Sequence, residues 1–202
     1  EGKLGADAAA NVAAFRAALR AKIEQLEQRD ELSAQRRALL LLSHDADIVL
    51  DLHCDDEALS HVFMMPQHWP AGADLAAETG AAACMLCDDS GMRAFDETNS
   101  LPFTRLAKLL GDRFPIPPAC FSATVELRGQ SDVFDDLAER DARGLYRFLQ
   151  RRGIVAGDAG PLPGACAASP FERADYITVP MGGLIAYKVA LGDRVRKGDV
   201  VA

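Results

Sequence analysis

The feature that most constrains the fold is an alternation of short apolar runs with longer segments of helical periodicity. Residues 47–53 read Asp-Ile-Val-Leu-Asp-Leu-His, a β-branched apolar run that ends in polar residues. Such a run is typical of a strand that is covered on both faces. Similar runs follow at residues 62–65, 83–86 and 121–127. Helical patterns occupy residues 7–28, 30–43, 74–82, 101–114 and 131–152. This alternation predicts an α/β domain with a mixed sheet flanked by helices.

The composition of the chain changes after residue 155. Residues 156–168 are rich in Gly and Pro and poor in large apolar side chains, which is typical of a linker. Beyond them, residues 176–180 and 184–190 resemble strands, and Gly pairs mark turns between them. We therefore expect an α/β domain over residues 1–155, a linker over 156–171 and a small all-β module over 172–202. Thirty residues of β-hairpin cannot bury a core of their own.

The charge and the cysteine content narrow the range of partners. The chain has 202 residues and a net charge of −8, and this acidic balance disfavours binding to nucleic acid. No apolar run approaches the roughly 20 residues of a membrane span, so we expect no membrane partner. Five cysteines without framework spacing favour a reducing, cytoplasmic location. The first residue is Glu1, from which we expect a fragment that lacks its native N-terminal region.

His53 is the strongest single candidate for chemistry. It follows the apolar core of the first predicted strand, and ligands of open α/β sheets gather beyond the carboxyl ends of the strands. Asp51 lies two residues earlier and therefore leaves the strand on the same face, where it could orient an imidazole. A purely structural, hydrogen-bonded His remains the alternative.

Glu126 is the second candidate. It stands near the end of the apolar strand Ala-Thr-Val-Glu-Leu-Arg-Gly, residues 123–129. A partly buried carboxyl group suits a general base, because burial tends to raise its pKa. The alternative is an ion pair, for example with Arg128. The spacing of Cys84 and Cys87 fits a metal or redox pair, but the apolar residues between them favour a core strand.

Taken together, Asp51-Leu-His53 and Thr124-Val-Glu126-Leu-Arg-Gly129 resemble the succinylglutamate desuccinylase/aspartoacylase family, the deacylase branch of the carboxypeptidase-like zinc hydrolases. The resemblance extends over nearly the whole chain. It implies a zinc-carboxypeptidase-like α/β fold and a metal-dependent deacylase. The substrate would be a small N-acyl amino acid or a related amide.

By the same resemblance, His53 is a zinc ligand, Glu126 is the general base and Arg128 contacts the substrate. An ion pair of Arg128 with the acidic loops is the alternative to substrate binding. The family's His-x-x-Glu motif is missing, because the only upstream histidine, His44, has no matching Glu. We expect the two further ligands of one zinc ion upstream of Glu1, and little activity in this fragment.

The tail from residue 176 resembles half of a biotinyl/lipoyl-like barrel, a module that several family members carry. Lys188 and Lys197 do not lie in the hairpin context of an attachment site, so we expect both to be unmodified. Two other functions stay open: a non-catalytic assembly scaffold and a zinc carboxypeptidase that acts on peptides. Homo-oligomerisation is also left open.

Overall fold

A computed structural model describes residues 4–202. A five-stranded sheet has the strand order β1-β4-β2-β3-β5, so the prediction of an α/β fold is confirmed. The helices are α1 (Ala8–Glu24), α2 (Glu31–Ser43), α3 (Ala73–Glu78), α4 (Phe95–Leu110) and α5 (Asp135–Arg151). The strands are β1 (Ile48–Asp55), β2 (His61–Met64), β3 (Ala83–Leu86), β4 (Phe121–Gly129) and β5 (Ala168–Pro170).

Contacts between residues divide the chain into two compact units. The first comprises residues up to Asp51 together with Met64–His68 and Asp88–Thr124. The second comprises Leu52–Phe63, Trp69–Cys87 and Val125–Ala202. The boundaries predicted at residues 155 and 171 stay a prediction.

In the first unit, the amino-terminal helices are fixed to the start of β1. Asp30 caps α2, because its side chain accepts the Ser33 N–H at 2.7 Å in a capping box. From α1, Arg16 donates to the carbonyl oxygens of Ala46 and Ala119 at 3.1 and 2.8 Å. The rings of Phe15 and Phe103 meet edge to face at 5.2 Å. Phe103 belongs to a buried core cluster with Val49, Ile116 and Cys120, and Phe15 packs against that cluster.

In the second unit, α5 packs through a narrow stripe at helical spacing. Its buried residues are Asp141, Gly144 and Phe148. The buried carboxylate of Glu78 in α3 forms ion pairs with Arg147 at 3.1 Å and with Arg151 at 2.5 Å. These two pairs neutralise a charge that burial would otherwise make costly.

The region predicted as a linker contains a strand. β5 pairs in parallel with β3, and Cys84 lies opposite Ala168. Cys84 is 1% exposed, which agrees with the core-strand interpretation for this cysteine, whereas Cys87 follows β3 and is half-buried. A three-residue strand is too short to show a period-two pattern, and its Gly- and Pro-rich surroundings conceal it further.

The all-β module predicted for the tail is not confirmed. Residues 174–202 contain turns and bends but no assigned helix or strand. The Lys188 N–H donates to the Val201 carbonyl at 3.0 Å, so the tail folds back on itself at that point. Its large apolar side chains remain exposed, with Leu184 at 98%. Among the helices of residues 4–202, none has both the length and the apolarity needed to cross a membrane.

The contact between α3 and α5 generates a stability prediction. A Cβ atom at Gly144 would lie 2.3 Å from the Glu78 carbonyl oxygen, which is a backbone atom that cannot rotate away. Although Ala is the better helix former, we expect Gly144→Ala to destabilise the fold by about 1–3 kcal/mol through overpacking. Urea unfolding measures this. Gly164→Ala is the control, because nothing lies within 4 Å of its added Cβ. Equal stability of the two variants would contradict the close packing.

Candidate functional site

Two neighbouring strands bring the strongest sequence candidates to one place. The Phe121 N–H donates to the Asp47 carbonyl at 2.8 Å, immediately before β1 and at the first residue of β4. In a parallel ladder this bond sets Ile48 opposite Phe121, and the register then repeats along both strands. Arg128 is the residue of β4 with a positive backbone φ, and the register continued from Phe121 towards it sets Asp51 opposite Thr124 and His53 opposite Glu126.

Side chains at paired positions of a parallel ladder leave the sheet on the same face. His53 and Glu126 therefore project side by side from adjacent strands, whose axes are about 4.8 Å apart. His53 is exposed and Glu126 is half-buried. An imidazole and a carboxylate in this arrangement can share a proton or face one ligand.

The register of β1 and β4 changes between Phe121 and Gln130. The Gln130 N–H donates to the Asp55 carbonyl at 2.7 Å, so the offset between the strands rises from 74 residues at Phe121 to 75 at Gln130. The extra residue indicates a β-bulge in β4, and Arg128 with φ of 77° lies within that stretch. Gly129 follows, and an added Cβ there would lie 3.1 Å from the Asp56 carbonyl oxygen. The backbone at Gly129, just beyond the bulge, thus lies close to the backbone at Asp56.

The bulge directs Arg128 towards α5. Its guanidinium forms a buried ion pair with Asp141 of α5, and Arg128 is 9% exposed. The Arg128 Nε and Nη1 atoms and the Asp141 Oδ1 atom are buried without a hydrogen-bond partner. The partner is therefore a helical aspartate, whereas the sequence alternative named the acidic loops. Substrate binding by Arg128 stays a prediction.

A groove runs along this side of α5. Its volume is about 720 Å³, and it contains both polar groups of the Arg128–Asp141 pair and an apolar wall. His53 is also among its lining residues. The apolar wall consists of Leu52, Leu127, Val133, Phe134, Ala138, Ala142 and Leu145.

Two buried acids at the start of α4 were missed by the sequence analysis. Asp96 is 4% exposed and Glu97 is 6% exposed. Burial raises the pKa of the Asp96 carboxyl to about 6. Hydrogen bonds with the Glu97 backbone and the Thr124 side chain lower this pKa, but by less than burial raises it. The negative charges of Glu97 and Asp51 raise it further. The predicted helix began at residue 101, so both acids were placed in a loop, where carboxylates are usually solvated.

The residues described do not complete a zinc site. Within residues 4–202, no group of three His, Cys, Asp or Glu side chains could hold a metal ion. A catalytic zinc ion uses three protein ligands and one open position. His53 with its neighbour Glu126 supplies too few ligands.

Solved structures provide the comparison with known proteins. The chain is similar to a succinylglutamate desuccinylase/aspartoacylase family protein from Shewanella amazonensis, with a TM-score of 0.76 and 24% identity over 92% of this chain. A second such protein, from Shewanella frigidimarina, gives a TM-score of 0.73 and 23% identity over 90% of the chain. A succinylglutamate desuccinylase/aspartoacylase from Rhodobacter sphaeroides gives 0.57 and 20% over 87%.

These likenesses establish a shared fold. The chain spans about half the length of each structure, namely 51%, 49% and 51% in the same order. No family model and no curated protein matches the sequence.

Asp96 generates a pH-dependent prediction. Below about pH 4 the carboxyl is protonated in both the folded and the unfolded chain. Between pH 4 and pH 6 the unfolded chain releases this proton while the folded chain retains it, so stability falls as the pH rises. The Asp96→Asn variant has no carboxyl at this position, so it does not lose stability in this way as the pH rises. Its stability relative to the native sequence should therefore rise by up to about 3 kcal/mol from pH 4 to pH 7.

The measurement is urea unfolding across this pH range. Asp112→Asn is the control, because Asp112 is exposed. A parallel pH profile for Asp96→Asn and the native sequence would contradict the raised pKa.

The buried ion pair generates a second prediction. Removing one partner leaves a buried charge uncompensated, so we expect Asp141→Ala to destabilise the fold by about 3–5 kcal/mol. Glu139→Ala is the control on the same helix, because the pair of Glu139 with Arg143 is exposed. Thermal or urea unfolding compares the two variants. A loss for Asp141→Ala no larger than that of the control would argue against a structural pair and favour a free, ligand-binding Arg128.

Proposed function

We propose that the protein is a hydrolase that deacylates small N-acyl amino acids or related amides, and that His53 and Glu126 belong to its active centre. The observation that carries this proposal is the register of β1 and β4, from which the two side chains follow as neighbours on one face. The fold supports it, because the similar structures carry the description succinylglutamate desuccinylase/aspartoacylase.

Glu126 is the proposed general base. Amide hydrolysis requires a group that takes a proton from the attacking water and returns it to the leaving amine. A half-buried carboxylate beside an imidazole, at the carboxyl end of a strand, has the access and the chemistry for both transfers. His53 is the proposed metal ligand, and the proposed role of Asp51, two residues earlier in β1, is to orient its ring.

Zinc remains the proposed cofactor of the whole protein. It would need two ligands from outside the described residues, since one imidazole cannot hold it. The roles of this chain's own residues are proton transfer by Glu126 and orientation of His53 by Asp51. The proposed location is the cytoplasm.

The test uses the protein in its full natural length. Glu126→Gln removes the proton acceptor but keeps the size and hydrogen-bonding capacity of the side chain. We expect it to lower the rate of hydrolysis of N-acetyl and N-succinyl amino acids by roughly 10²–10⁴-fold. Zinc content and unfolding temperature should remain unchanged. Glu139→Gln, at the exposed surface of α5, controls for the same loss of charge.

The remaining outcomes separate the alternatives. Hydrolysis of peptides without hydrolysis of acyl-amino acids would identify a carboxypeptidase. Inactivity of the unaltered protein on both substrate classes, with zinc supplied, would favour a non-catalytic scaffold. Full activity of Glu126→Gln would remove Glu126 from the active centre.

A further inference from the structure

The exposed face of α2 carries leucines at regular intervals. Leu32, Leu39 and Leu42 are 53%, 42% and 78% exposed. Together with the exposed Gln35, they occupy positions separated by three, four and three residues. This is the spacing of a heptad repeat, with Leu32 and Leu39 at a and with Gln35 and Leu42 at d. Single exposed leucines are ordinary on a protein surface, whereas this spacing is typical of a seam between two helices. We call these four positions the α2 seam.

The α2 seam lies opposite the packed side of the helix. Successive residues of an α-helix are about 100° apart, so the four seam positions fall within an arc of about 80°. The half-buried residues of α2 are centred about 180° away, and they are Ser33, Ala34, Arg37, Leu40 and Leu41. On that side, Arg37 donates to the Glu24 carbonyl of α1 at 3.2 Å. A partner helix can therefore approach the seam without displacing the packed side of α2.

The charges beside the seam fit a second copy of the same helix in parallel orientation. Glu31 occupies the g position just before Leu32, and Arg36 occupies the e position just after Gln35. In a parallel two-stranded coil, ion pairs form between the g residue of one helix and the e residue five positions later on the other. Glu31 therefore faces Arg36 of the second copy, and two-fold symmetry provides this pair twice. Both side chains are exposed, so a partner can reach them.

Gln35 favours the parallel orientation over the antiparallel one. In a parallel pair in register, Gln35 meets its own copy, and the two amide groups can hydrogen-bond to each other across the axis. An antiparallel pair that matches Leu32 with Leu42 sets Gln35 against Leu39, where the amide loses water without gaining a partner. The antiparallel arrangement also separates Glu31 from Arg36 of the other copy. Both the polar position and the charges of the seam thus select the same orientation.

We propose that the chain forms a parallel two-fold dimer through the α2 seam. The occupant of the seam is a second copy of this chain, because that copy supplies both the matching leucines and the complementary charges. α2 has 13 residues, so the seam is about 20 Å long, which is too short for a standard interface of roughly 1,600 Å². The dimer is therefore weak, and its population depends on the protein concentration. The inference does not depend on the hydrolysis proposed above.

The first test is sedimentation equilibrium of the 202-residue chain between about 10 μM and 1 mM, where a weak dimer changes its population. Leu39→Ala removes one leucine from the seam of each copy, and alanine is the better helix former, so α2 itself is preserved. We expect this variant to associate about 10-fold more weakly or less tightly still, because apolar burial is lost on both copies. Leu109→Ala is the matched control, since Leu109 lies in α4 and is 80% exposed. The control should dimerise like the unaltered chain.

The second test exchanges the charges beside the seam. Glu31→Lys alone and Arg36→Glu alone each set like charges opposite each other twice in the dimer. Each variant should therefore associate roughly 3- to 10-fold more weakly than the unaltered chain. An equal mixture of the two variants restores two pairs of opposite charge in the mixed dimer, so we expect the mixture to associate as tightly as the unaltered chain. An effect of either substitution on the fold of its own chain would not recover on mixing.

Three results would overturn the proposal. The first is an unaltered chain that stays monomeric over the whole concentration range, which would leave the seam to a different protein. The second is equal association of Leu39→Ala and Leu109→Ala, which would place any self-association elsewhere on the surface. The third is a mixture of Glu31→Lys and Arg36→Glu that associates no better than either variant alone, which would exclude the parallel pairing. None of these results depends on metal or on catalysis, so the hydrolase proposal is tested separately.

Discussion

The pairing of β1 with β4 is the interaction on which the candidate chemistry depends. Once the register of a parallel ladder is fixed, the two side chains at each paired position project from the same face of the sheet. The hydrogen bond from the Phe121 N–H to the Asp47 carbonyl defines that register at the start of both strands. A slip of one residue would turn Glu126 to the opposite face from His53. Arg16 of α1, bonded to both Ala46 and Ala119, fixes the two strands just before they pair.

The bulge at the end of β4 separates two neighbouring charged residues. In a regular strand, Glu126 and Arg128 would share a face, and the simplest result would be an ion pair between them. The backbone of Arg128 is instead left-handed, and its guanidinium forms an ion pair with Asp141 on α5. Strain of this kind costs about 1–3 kcal/mol and persists only where the surroundings enforce it. Its consequence here is that Arg128 does not serve as the counter-ion of Glu126.

The alternation of apolar runs and helical periods predicted most of the architecture. β3 was predicted over the residues where it occurs, and a helix was predicted over residues 30–43, where α2 forms. The start of α4 was placed six residues late. Pro102 is the physical reason, since proline favours the first turn of a helix and here lies within it. That error concealed Asp96 and Glu97, because acids outside a helix give no sign of burial.

For the candidate site, the sequence indicated His53 and Glu126 as candidates but not the strand pairing that relates them. Strand alternation alone relates Asp51 to His53 and Thr124 to Glu126, whereas the relation between the two strands depends on a register that no local pattern encodes. The bulge is equally invisible, because Leu-Arg-Gly fits a plain strand end. The tail shows the opposite failure. Its apolar alternation predicts strands, yet side chains such as Leu184 and Tyr176 are exposed at 98% and 82%.

Buried carboxylates in this chain fall into two groups, which differ in what compensates their negative charge. Glu78 is neutralised by Arg147 and Arg151, and Asp141 by Arg128, so folding itself accounts for their burial. Asp96 and Glu97 instead lie in the first turn of α4, where the free backbone N–H groups and the helix dipole favour negative charge. Burial nevertheless raises the pKa of the Asp96 carboxyl to about 6, so this carboxyl keeps its proton to a higher pH than an exposed aspartate does.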